Sequence, residues 1–168
     1  DPAKMAAAKR AEQQPLLATA PAGDDAITVS QLADRLDAAL KGALNKALGE
    51  KFGAGEWVLA LEDPGVYLND RLALERQVDF TVVQQVAAQA ALGVPGIATA
   101  FTRTQLTLGP LPATPMAQAM LKSFYPSRSG DLFLVTQPFY FWGKFGEKTV
   151  GSTHGSPYSY DNHVPLVF

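Results

Sequence analysis

Leu132-Phe133-Leu134-Val135 decides the fold class. Four apolar residues in a row, closed off by Pro138, predict a strand with both of its faces buried rather than one half in water. Ile97 to Thr102 reads in the same way. Strands of that kind need a covering layer on each side, and the rest of the chain offers helices for the purpose. Thr28 and Gln31 form a capping box, after which Val29, Leu32, Leu36, Leu40, Leu44 and Leu48 recur at three- and four-residue steps up to Gly49. The other face carries Asp34, Arg35, Lys41 and Lys46, a mixture of signs that suits water rather than a ligand. A second long helix is predicted over 70–92, with Leu74, Val78, Val82 and Val86 on one face and Gly93 as its cap. Trp57 to Leu61 and Val66 to Leu68 form a hairpin about Asp63-Pro64-Gly65. Met116 to Phe124 makes a short helix with Pro115 in its first turn. Helices alternating with apolar strands predict a layered α/β fold.

Length and composition bound the function. At 168 residues the chain holds one domain, and its 47% of hydrophobic residues can build a core. Only 18% of residues are charged and the net charge is -2, so nucleic acid is not an expected partner. The absence of cysteine excludes disulfides, thiolate metal sites and a cysteine nucleophile. No apolar stretch reaches the roughly 18–20 residues of a membrane span. Residues 1–28, rich in Ala, Gln and Pro, read as a linker or surface segment ahead of a domain over 29–168. The Asp1-Pro2 start and the apolar Val164 to Phe168 end read as those of a piece cut from a longer chain, so the strands Leu132 to Val135 and Val164 to Phe168 are expected to show unpaired edges or an apolar face that the remainder of that chain, or self-association, would cover.

Chemistry concentrates near the end, in Gly151-Ser152-Thr153-His154-Gly155-Ser156-Pro157-Tyr158-Ser159-Tyr160-Asp161-Asn162-His163-Val164-Pro165. Both histidines and an aspartate stand within ten residues of a glycine-flanked loop before a predicted closing strand, where reactive groups tend to gather. On spacing alone His154 is either a metal ligand or an imidazole bonded to backbone, Asp161 either a site carboxylate or a turn residue, and His163 either a site group or a cap on the sheet.

That stretch, with Arg128-Ser129-Gly130-Asp131 before an apolar strand, resembles the C-terminal part of bacterial alkaline phosphatases. The similarity is to the branch related to type I phosphodiesterases and nucleotide pyrophosphatases. Val66-Tyr67-Leu68-Asn69 and the run from Gly96 to Gln105 resemble it more weakly. The resemblance implies part of a three-layer αβα sandwich, and a periplasmic or secreted phosphomonoesterase with two zinc ions and a Thr or Ser nucleophile. The histidine of the Thr-His-Gly word is a zinc ligand in that family, which implies this role for His154, with Thr153, Asp161, His163 and Arg128 near the cleft or behind the ligand. Arg128 and Asp131 would hold a loop. The nucleophile and the other metal ligands lie outside this chain, since it contains no Asp-x-x-x-His or Asp-His pair. Alone it is expected to be inactive. Phosphodiesters or sulfate esters as substrates, or a non-catalytic extracytoplasmic binding module, are the alternative readings.

Overall fold

The structure is a computed structural model that describes residues 29–138, 140 and 155–162. The order is α1 (Val29–Phe52), β1 (Val58–Glu62), β2 (Gly65–Leu68), α2 (Asp70–Glu75), α3 (Phe80–Leu92), β3 (Ile97–Thr102), α4 (Arg103–Leu108), α5 (Pro115–Ser123), β4 (Leu132–Thr136) and α6 (Ser159–Asn162). The strands form one sheet in the order β1-β2-β4-β3, antiparallel at every pairing.

β4 divides the interior. Leu132 and Leu134 point into a core made with Leu40, Leu44 and Leu48 of α1 and Val83, Ala87 and Ala91 of α3. Phe133 and Val135 point the other way, into a second core with Phe101, Leu106 of α4 and Ala117 and Met120 of α5. Successive strand residues face opposite sides, so an all-apolar strand feeds two cores at once. Helices therefore cover both faces, and the mixed helix-and-strand class is as its sequence implied. The antiparallel pairing is a refinement: double-sided burial required two covering layers and left strand direction open.

Several boundaries differ from the reading by pattern. α1 continues through Gly49 to Phe52, and the left-handed residue that ends it is Gly53 at φ +94°. A glycine inside a helix costs only about 1 kcal/mol relative to Ala. Phe52, 5.7 Å from the ring of Trp57, gives the extra turn something to pack on. Trp57 is fully buried, and its indole N–H donates to the Gly53 carbonyl at 2.9 Å. Where one helix was predicted over 70–92 there are two, parted at 76–79 where Gln77 takes φ +56°. Each has its own side-chain cap: Asn69 accepts from the Leu72 N–H and Asp79 from the Thr81 N–H.

The hairpin loop is Asp63-Pro64 alone, because Gly65 already pairs with Glu62 as a strand residue. A Cβ on Gly65 would stand 3.2 Å from the Glu62 carbonyl and 3.4 Å from the Gly130 amide, so close strand approach explains that glycine better than turn geometry. α4 was not predicted, although Thr102 and Gln105 form a reciprocal capping box at its start. The proposed Thr28 cap, the 1–28 segment and the Val164 to Phe168 strand lie outside the described residues. The expectation that Leu132 to Val135 would show an unpaired edge or an apolar face does not hold, since β4 is paired on both sides and each of its faces lies in a core.

Candidate functional site

The sequence candidates among the described residues fall at opposite ends of β4. At its start, Asp131 is nearly buried and its carboxylate is fully engaged. Oδ2 accepts from the Leu68 N–H at 2.9 Å and Oδ1 from Arg103 Nε at 3.1 Å. The rest of the Arg103 guanidinium donates to the carbonyls of Pro126 and Ser129. One planar fork thus ties the 124–131 turn to the first residue of α4, a geometry suited to arginine and not to lysine. Burial raises the Asp131 carboxyl above the usual carboxylate range. The Leu68 N–H and the Arg103 charge pull it down without cancelling that, and the charge of Asp70 adds to the rise.

Arg128 lies in this turn. Its guanidinium sits 4.8 Å from the centre of the Tyr125 ring, and its carbonyl accepts from the Tyr67 hydroxyl at 2.9 Å. Gly130 is required here: a Cβ would lie 2.7 Å from the Val66 carbonyl oxygen and 2.9 Å from its nitrogen.

The far end of β4 carries the segment 155–162. The Tyr158 hydroxyl donates to the Thr136 carbonyl at 2.7 Å, and its ring packs on the second core. The Asp161 carboxylate accepts from the Ser156 N–H at 2.6 Å, and the Asp161 N–H donates to the Tyr158 carbonyl at 3.0 Å. Tyr160 stacks on Tyr158 with 5.6 Å between ring centres. Burial, and then the neighbouring Tyr160, raise the Tyr158 phenol above its ordinary value. The Ser156 hydroxyl is buried with no hydrogen-bond partner among the described residues. Together these bonds make a closed clip just after Thr153-His154.

Thr153, His154 and His163 lie outside the described residues. Of the remaining candidates, Arg128 and Asp161 are not brought together. From Asp131 to Thr136 an extended strand covers roughly 17 Å at about 3.3–3.4 Å per residue. The sequence reading did not single out Arg103, Tyr158 or Thr136. The Thr-x-x-Gln word before α4 was the available signal for Arg103, as it places that residue in the first turn beside the end of β3. Among the described residues no three His, Asp or Glu side chains converge as a metal centre needs. Asp131 and Asp161 already hold N–H donors. The described residues therefore do not fit a zinc centre of their own.

No family model matches the chain. It is 34% identical over 148 residues to the alkaline phosphatase PhoK of a Sphingomonas species, covering 80% of this chain and 25% of that protein. It is 30% identical over 130 residues to a protein named calcium-transporting ATPase in Myroides odoratus, covering 77% of this chain and 23% of that protein. The alkaline phosphatase PafA of Elizabethkingia meningoseptica is 23% identical over 129 residues, again 77% of this chain and 23% of that protein. The crystal structure of wild-type PafA matches the fold with a TM-score of 0.59 at 20% identity, over 73% of this chain and 23% of that one. The chain spans about a quarter of the length of these relatives.

Proposed function

The chain belongs to the alkaline phosphatase superfamily over about a quarter of its relatives' length, and from that premise we propose that it serves a zinc-dependent phosphomonoesterase by seating one metal ligand, His154. The observation that carries this reading is the clip that follows the histidine. Tyr158 is anchored on the Thr136 carbonyl and Asp161 on the Ser156 N–H, so the backbone after Thr153-His154 is held at the end of a strand buried on both faces. A ligand on such a mount keeps its position without the metal's help. The buried Ser156 hydroxyl, two residues on, is the kind of group that a further neighbour satisfies.

In this reading His154 would help to hold one of two zinc ions, which when bound would supply a lowered pKa for an attacking oxygen and charge stabilisation for a leaving one. The Thr or Ser nucleophile and most of the ligands come from parts of the protein outside these residues. The role of this chain is positional. Asp161 closes the clip and Tyr158 docks it, while Thr153 and His163 are assigned supporting roles and not metal ligation. Arg128, at the other end of β4, shapes the 124–131 turn and does not share the His154 mount. A periplasmic or secreted location goes with the phosphatase reading. Phosphate monoesters are preferred over phosphodiesters and sulfate esters because two of the relatives are named phosphatases, and the third is named for an ATPase, whose reaction also hydrolyses a phosphoryl bond.

The test is made on the whole enzyme, with zinc content by elemental analysis and hydrolysis of p-nitrophenyl phosphate measured on the same preparations. His154→Ala is expected to lose bound zinc and nearly all activity. His163→Ala is expected to lose about ten- to a hundredfold at most, as groups behind a ligand do. Equal zinc loss in the two variants, or full zinc in His154→Ala, overturns the assignment.

A further inference from the structure

The clip that follows His154 is held to β4 by a tyrosine, and a tyrosine hydroxyl donates only while it keeps its hydrogen. The Tyr158 hydroxyl reaches the Thr136 carbonyl at 2.7 Å. A main-chain carbonyl has no hydrogen to give in return, so loss of the phenolic proton would leave two acceptor oxygens face to face at that distance. The contact would turn from attraction to repulsion.

The surroundings of the ring work in the same direction. It packs on Phe101 of β3, Leu106 of α4, Ala117 and Met120 of α5, and Phe133 and Val135 of β4, a core without a charged member. Such a setting accepts a neutral phenol and rejects a phenolate, whose desolvation is costly unless a cation stands beside it. Among the described residues, the ionisable groups that face Tyr158 lie on its own segment. They are the stacked phenol of Tyr160 and the carboxylate of Asp161, which accepts from the Ser156 N–H. Both are neutral or negative, so neither compensates a phenolate. The phenol accordingly stands above its ordinary value, chiefly through burial and then through Tyr160. The two bonds by which Asp161 closes the clip, to the Ser156 N–H and to the Tyr158 carbonyl, do not depend on the phenolic proton.

We propose that the Tyr158–Thr136 bond is a proton-dependent tie, closed while the phenol is neutral and open once it ionises, which sets the alkaline limit up to which the clip stays docked on β4. Hydrogen bond and apolar packing are given up in one event, because the same proton permits both. Since the folded phenol lies above its unfolded value, the contribution of the tie is complete below the ordinary phenol range and is lost as pH rises through the folded value. The importance of the tie for catalysis rests on the reading of His154 as a metal ligand; the tie itself does not.

The test is a pH titration of the intact protein by NMR, with isotope-labelled tyrosine rings and threonine carbonyls. The ring signal that Tyr158→Phe removes is expected to titrate above about 10, the ordinary phenol value, and the Thr136 carbonyl signal to move at the same pH. In Tyr158→Phe that carbonyl should not titrate. Hydrolysis of p-nitrophenyl phosphate gives a second readout: the wild type should exceed Tyr158→Phe in kcat by about two- to tenfold at neutral pH, the worth of one hydrogen bond, and the ratio should close as the phenol ionises. A Thr136 carbonyl that ignores the ionisation of Tyr158 overturns the tie, and so does a phenol that titrates at or below its ordinary value. The wild-type Thr136 signal decides this even if the variant does not fold. Full zinc in His154→Ala strikes the phosphatase reading instead, and leaves the expected NMR titrations unchanged.

Discussion

Asp131 shows how a single residue can organise a turn while remaining electrostatically uneasy. Its carboxyl is raised mainly by burial, so the folded state holds its proton more tightly than the unfolded chain does. The sign follows from linkage: the favourable contribution of the protonated group is complete below the ordinary carboxylate range and is lost as pH rises through the raised folded value. Denaturant melts across that window should show wild-type stability falling with rising pH, and Asp131→Asn should flatten the slope. Gly130, next door, is a steric requirement. Gly130→Ala forces a methyl against the Val66 backbone and should cost about 1–3 kcal/mol by urea unfolding. Tyr158→Phe deletes only the hydroxyl that reaches Thr136, for an expected loss of about 0.5–1.5 kcal/mol.

At the scale of elements, α1 was the most legible part of the chain. Leu40, Leu44 and Leu48 lie at four-residue spacing, and each is fully buried. Leu44→Ala should cost about 2–5 kcal/mol, the range for truncating a packed core leucine, with thermal unfolding as the check. The break between α2 and α3 was not legible, because Arg76-Gln77-Val78-Asp79 contains neither Gly nor Pro. A local cap decides it there: Gln77 takes a left-handed conformation, and the N–H groups of Val78 and Gln77 donate to the Ala73 and Leu74 carbonyls that end α2. Asp79 is the one local sign, and Asp79→Ala should lose about 1 kcal/mol through the uncapped Thr81 N–H. α4 has only six residues, too short for periodicity to reveal, though its capping box is plain in hindsight. At the candidate site, Asp161 and Arg128 could be picked out as residue types in a suggestive setting. Their separation along β4 could not, because the chain order of motifs says nothing of which end of a strand each will meet.

For the whole molecule, the governing feature is a strand that belongs to two interiors. In a half-buried strand, polarity sets register, since a slip by one residue would turn the apolar set toward water. β4 has no polar face to provide that safeguard: Leu132 and Leu134 serve one core, Phe133 and Val135 the other, and a one-residue slip would keep every side chain in oil. The alignment must be marked elsewhere, and the marks sit at its two extremities. Gly130 admits Val66 only in the native alignment, Asp131 finds both Leu68 and Arg103 only there, and Tyr158 meets a carbonyl only at Thr136. The strand works like a ruler whose graduations are engraved at its ends and left blank in between. Substitutions in its middle are then free to drift among apolar residues of similar bulk, whereas a single insertion would leave both ends unable to find their partners.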